Sequence, residues 1–127
     1  MRRLVPLLVL ALCACAHVPP PPTAVLDDAA GRARDANAPA RTVALAAFHA
    51  FLVENQPERA RALTQEALRR DAGEPYALTM EEVLAARDGH PEASLDAALR
   101  LVRAAPRHPL ATVAARQIHD TAGLAGS

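Results

Sequence analysis

The chain is nearly devoid of aromatic residues: of 127 positions only Phe48, Phe51 and Tyr76 are aromatic, and tryptophan is absent. That excludes an aromatic-rich β-sandwich, a stacking platform for single-stranded nucleic acid and an aromatic cage for quaternary ammonium groups. Lysine is absent too; all 14 basic residues are arginine, and 14 acidic residues balance them to zero formal charge. Without a net field the chain has no charge-based means of drawing in nucleic acid, which is not expected as a partner. Serine occurs only at Ser94 and Ser127, cysteine only at Cys13 and Cys15, and glycine five times. These supply no serine elbow, no glycine-rich phosphate loop and no cysteine zinc site. The five histidines, at 17, 49, 90, 108 and 119, form no HxxxH or HExxH pair. Acidic pairs such as Glu81-Glu82 are neighbours on a helix surface, not facing carboxylates. No catalytic residue, metal, cofactor or small-molecule substrate is expected, and the chain reads as a non-enzyme.

What is abundant is alanine and, after it, leucine, which together carry most of a 51% hydrophobic content. Both favour helices, so the expected class is all-α, packed through small side chains in one domain.

The first residues, MRRLVPLLVLALCAC, place Arg2 and Arg3 before a short apolar run. That is the layout of an export signal, too short to span a bilayer and stopped by the prolines at 19 to 22. The alternative is an ordinary secretory signal cut after Ala14 or Ala16. Leu12, Cys13, Ala14 and Cys15 resemble the lipobox of bacterial lipoproteins, in which the cysteine after a small residue is lipidated. The resemblance implies a signal peptide over 1–14, a diacylglycerol (palmitate-bearing) Cys15 and attachment to a membrane. With Ala16 in place of a retention signal such as Asp, it points to the periplasmic face of the outer membrane rather than to the inner membrane. Two or three acyl chains hold a protein durably where one does not. The mature chain would carry no free thiol and a charge of −2, from 12 arginines and 14 acids. Residues 15–38 then read as the anchor and a flexible tether, with four prolines favouring polyproline II and a weakly helical, alanine-rich polar stretch behind them.

Beyond the tether, prolines fall at 39, 57, 75, 91 and 109. The intervals from Pro57 to Pro91 and from Pro75 to Pro109 are equal, at about 34 residues, a length in the range of helical repeats. Proline at a first helical position removes a hydrogen bond that would not form there anyway. The spacing therefore predicts helices over 39–54, 57–71 and 75–87, a fourth from Pro91 closed by Pro106, and a fifth over 109–122. Their expected apolar stripes are Leu45, Phe48, Phe51 and Leu52; Ala60, Leu63, Ala67 and Leu68; Leu78, Met80, Val83 and Leu84; Leu95, Ala98, Leu99 and Val102; and Leu110, Val113, Ala114 and Ile118. Gly73 and Gly89 are expected to take left-handed caps, and Glu66 with Arg70 and Asp96 with Arg100 to form i,i+4 pairs. Residues 123–127 read as a disordered tail.

The repeat of prolines and apolar stripes over 39–122 resembles the tetratricopeptide-repeat family, stacked antiparallel α-hairpins. In that register the turn glycine falls at Asn55, Gly89 and Gly123, and the small residue of the second helix at Ala60 and Ser94. The small residue of the first helix is replaced by Phe48, Glu82 and Arg116, so the repeat is degenerate. The resemblance implies a TPR-like solenoid of about five short helices with a concave groove for a protein or peptide. Its candidate lining includes His49, Tyr76, Thr79, Val83, Arg87 and Gln117, with Tyr76 and Arg87 as anchors. Packing accounts equally well for Tyr76, and a solvated helix end for Arg87.

The expected function is that of a scaffold or adaptor in envelope assembly. A second reading makes the chain the amino-terminal module of a larger protein, an enzyme among the options, because the last helix has no partner after Gly123. A third is a homodimer closed through the Ile118 face.

Overall fold

A computed structural model describes residues 21–125, and within them every regular element is a helix. In chain order these are α1 (Thr23–Arg32), α2 (Ala40–Leu52), α3 (Pro57–Arg70), α4 (Pro75–Arg87), α5 (Pro91–Ala104) and α6 (Pro109–Ala125). The expected signal peptide and Cys15 lie outside the described residues. Among the described residues no helix is long and apolar enough to cross a membrane.

Proline sets the helix starts. Four helices open on Pro57, Pro75, Pro91 and Pro109, and Pro39 is the N-cap of α2. Side-chain caps are correspondingly sparse: α3 and α5 have none, while the Glu74 carboxylate accepts a hydrogen bond from the Ala77 N–H at 2.7 Å at the start of α4. Left-handed turns fall one repeat period apart, at Asn55 (φ 53°) and Gly89 (φ 77°). After α4 the turn closes as a Schellman motif, with the His90 N–H donating to the Ala85 carbonyl at 2.9 Å and the Gly89 N–H to that of Ala86 at 3.2 Å. Gly123, the third position in the same register, lies inside α6 instead.

The array is all-α: α2 packs on α3 and α4 on α5, as two antiparallel hairpins, and α6 packs on α5. Hereafter α2–α3 is unit one and α4–α5 unit two. Helix α2 also packs along α4, whereas α6 touches α4 much less. The core is built from alanine: 14 of the 22 buried hydrophobic residues described are alanines. Small side chains let backbones approach closely, and Ser94 of α5 donates its hydroxyl to the Glu82 carbonyl of α4 at 3.1 Å. The larger anchors are Phe48, Phe51, Met80 and Leu84 between α2 and α4, and Leu78 with Leu101 in the second hairpin. Each fully buried leucine or methionine contributes about 2 kcal/mol. The i,i+4 pairs form as expected, Arg70 to Glu66 at 2.9 Å and Arg100 to Asp96 at 3.0 Å.

Four expectations are corrected. The folded array begins at Thr23, not at Pro39, so most of the stretch read as tether is structured. Leu26 is 2% exposed and Ala29 and Ala38 are buried, while Arg70 donates to the Ala38 carbonyl. A helix this short, with one leucine, is marginal alone; α1 exists because α2 supplies the surface that covers Leu26. At the other end α6 runs on to Ala125, into the stretch expected as tail. The stripe of α5 is rotated: Ala97, Ala98 and Leu101 are buried, and Leu95 is 43% exposed. Gly73 does not take a left-handed cap. A Cβ there would meet the Ala104 Cβ at 3.0 Å, so glycine is required for close approach of the α3–α4 turn to the end of α5.

Candidate binding site

Two places in the array combine polar side chains with apolar surface: the α2 face under α1, and a cavity between α4, α5 and α6. The first is already filled by the chain itself. Asp27 of α1 reaches Nε2 of His49 at 2.9 Å, and Glu54 holds Nδ1 of the same ring at 2.9 Å. Leu26 joins Phe48, Phe51, Met80 and Leu84 in one cluster, against which Leu45, Leu52, Tyr76 and Val83 pack.

Tyr76, expected from the sequence either as a groove anchor or as a packing residue, is half-buried and joins three elements. Its ring meets Phe48 of α2 edge-on at 6.0 Å and His108, in the turn before α6, at 5.6 Å. The Arg41 guanidinium lies 5.2 Å from its centroid. Desolvation lowers the pKa of His108, with the Arg41 charge adding to it, which keeps Nδ1 available to accept the Leu110 N–H at 3.2 Å. Thr79 donates its hydroxyl to the Pro75 carbonyl one turn back, and Val83 is half-buried against the core. Arg87 is exposed, 3.8 Å from Asp88. Gln117 is exposed on α6 and lines the second place, as do Ala86 and Thr121, which the same register places in the expected groove.

That second place is a half-open cavity of about 540 Å³. Its walls are Glu82 and Ala86 of α4, the turn at Gly89, Pro91, Ser94, Leu95 and Ala98 of α5, and Ile118 and Thr121 of α6, with Glu92 and Gln117 at its edge. The lining is mainly apolar, and no basic side chain is part of it. Glu82 is half-buried there, and burial raises its carboxyl from the ordinary 4.5 to about 7. A carboxyl that shares an apolar wall with Ile118 and Ala98 gives up hydration without gaining a partner.

The repeat spacing explains why the cavity exists. Position by position, Glu82 corresponds to Phe48, Ser94 to Ala60, Leu95 to Arg61 and Ile118 to Leu84. In unit one the Phe48 ring is 7% exposed in a cluster with Ala60 and Leu84, so it occupies the space that stands open in unit two. Arg61 there bridges to Asp88 at 2.5 Å and fastens α3 to the end of α4. The matching residues in the second case are Leu95 and Ala122, which cannot form an ion pair. Sequence reading marked Glu82 as a departure from the repeat but took its charge for solvent surface. The clue it left unused was that Glu82 and Phe48 share one register position.

Among the described residues no group of three or more His, Cys, Asp or Glu side chains is placed to hold a metal ion. No protein-family model, no curated protein and no solved structure matches the chain.

Proposed function

We propose that this chain is a lipid-anchored envelope protein, held by acylated Cys15 on the periplasmic face of the bacterial outer membrane. Its TPR-like helical array acts as a scaffold or adaptor for another envelope protein. The anchor rests on the Leu-Cys-Ala-Cys run at residues 12–15 behind a short apolar segment with two arginines. The repeat rests on left-handed turns one period apart at Asn55 and Gly89, with helix starts at Pro57 and Pro91 in the same register. The observation that carries the adaptor role is the unequal closure of the two units. A stable helical array covers its apolar seams, and unit two leaves Leu95 exposed beside an open cavity.

The test has two parts. Metabolic labelling with palmitate should mark the wild-type chain and not Cys15→Ala; equal labelling of both, or of neither, removes the anchor. Crosslinking in intact cells followed by capture from the membrane fraction should give a discrete adduct with an envelope protein. An adduct pattern unchanged when Leu95 and Ile118 are both replaced by Gln would remove the adaptor role for this face.

A further inference from the structure

Unit two has a void where unit one has an aromatic ring, and an acid stands at its wall. Filling such a void with phenylalanine is compatible with this repeat, since Phe48 does it at the matching position of unit one. A carboxylate in its place weakens packing and loses hydration, an arrangement that proteins tolerate at functional sites. The wall residues define what would complement it. Leu95, Ala98 and Ile118 offer apolar contact, Glu82 offers negative charge, and no basic side chain lines the cavity to neutralise it. At about 540 Å³ the cavity is in the range of ligand clefts and far larger than a single side chain.

We propose that this cavity binds an aliphatic cation presented by a partner protein: a lysine or arginine side chain inserted between α4 and α6, its methylene stem against Leu95 and Ile118 and its charge on the Glu82 carboxylate. The inference rests on the adaptor reading above and names the chemistry of the partner. The other charged groups near Glu82 do not compete for that role. Glu81 of α4 is held by Arg100 of α5 at 2.5 Å, Glu92 of α5 adds negative charge at the rim, and α6 contributes the uncharged Gln117 and Thr121. A long basic side chain with an apolar stem is the group that satisfies charge and stem together.

Ile118 is the only isoleucine in the chain, so selective isoleucine methyl labelling gives one resonance, located in the cavity wall. The full-length protein in detergent micelles is titrated with the peptide acetyl-Leu-Ala-Lys-Ala-Leu-amide and with its Lys-to-norleucine analogue. The lysine peptide should move the Ile118 methyl signal and bind about tenfold more tightly than the analogue. Glu82→Gln should abolish that preference while leaving the resonance in place, which shows that the fold is intact. Glu82→Phe, which copies unit one, should abolish binding of both peptides. The preference should be larger near about pH 8.5 than near about pH 5.5, because the carboxyl gains its proton as the pH falls. Equal affinity for the two peptides, no shift at Ile118, or a preference that survives Glu82→Gln overturns the proposal. The site and the adaptor reading fail separately: a clear lysine preference without any membrane adduct removes the adaptor, and an adduct from a chain whose cavity shows no preference removes the site.

Discussion

Units one and two share a repeat spacing, proline starts and left-handed turns, yet their interiors diverge at a few matched positions. Unit one has Phe48 in the seam, the Arg61 to Asp88 bridge at its edge and α1 across its face. Unit two has Glu82 in the seam, Leu95 and Ala122 at the edge and an open cavity. The difference teaches that here the backbone plan and the interior are separable. Turns and prolines set where helices begin, while one side chain per hairpin decides whether the next helix closes down. Helix α6 packs on α4 over less of its length than α4 does on α2, and position 82 carries no ring to fill the seam.

The most severe way to break the comparison is to give unit one the residue of unit two. Phe48→Glu should destabilise the chain by about 4 kcal/mol or more, through loss of ring packing and burial of a charge, as read by urea denaturation. A change below about 1 kcal/mol would mean that the Phe48 site is not a closed seam. Next comes the covering helix. Leu26→Ala should remove about 3 kcal/mol from the docking of α1, and hydrogen exchange should show α1 amides losing protection while those of α4 and α5 keep theirs.

Glu82 sharpens the contrast through pH. Its carboxyl lies at about 7 in the folded chain against 4.5 for the ordinary group, so over that window the folded state holds a proton that the unfolded state has released. Stability therefore falls as the pH rises through the window and stays low above it. Glu82→Gln should remove this contribution to the slope, matching the wild type near about pH 4.5 and exceeding it by about 3 kcal/mol near about pH 8, in denaturation curves taken at both values. His108 acts in the opposite sense, since its lowered pKa makes the folded state lose stability as the pH falls. The smallest expected effect is at the α1 contact: His49→Ala should cost about 1 kcal/mol and loosen α1 without disturbing unit two.

Much of this fold was legible in the sequence because its punctuation is strong. Pro57, Pro75, Pro91 and Pro109 fix φ and lack an N–H, so their meaning hardly depends on tertiary context. The turn positions at Asn55 and Gly89 follow the register of the family resemblance, whose third position, Gly123, lies inside α6. Other features depend on what packs against them. Alanine content marks the stretch around Leu26 as weakly helical, but nothing local makes it part of the folded array until α2 is beside it. Leu95 fits an apolar stripe by spacing, but Ala98 and Leu101 are the residues of α5 that cluster with Leu78 of α4 and with Ala111 and Ala114 of α6. Tyr76 was open between a groove anchor and a packing residue, and only the contacts with Phe48, Arg41 and His108 show how far it is packed. The cavity was least legible, because it is defined by the size of a missing ring, which only the paired unit reveals.

The early start of α1 bears on the attachment proposed through Cys15. With lipid on Cys15, the segment between anchor and array runs only from 16 to 22, where a linker ending at 38 would have been about three times as long. At about 3.5 Å per residue the maximum reach drops from about 80 Å to about 25 Å. The volume the array can explore shrinks about thirtyfold, and its effective concentration at the bilayer rises in proportion. Under the proposed acylation of Cys15, so short a leash would confine the array to the neighbourhood of the bilayer surface.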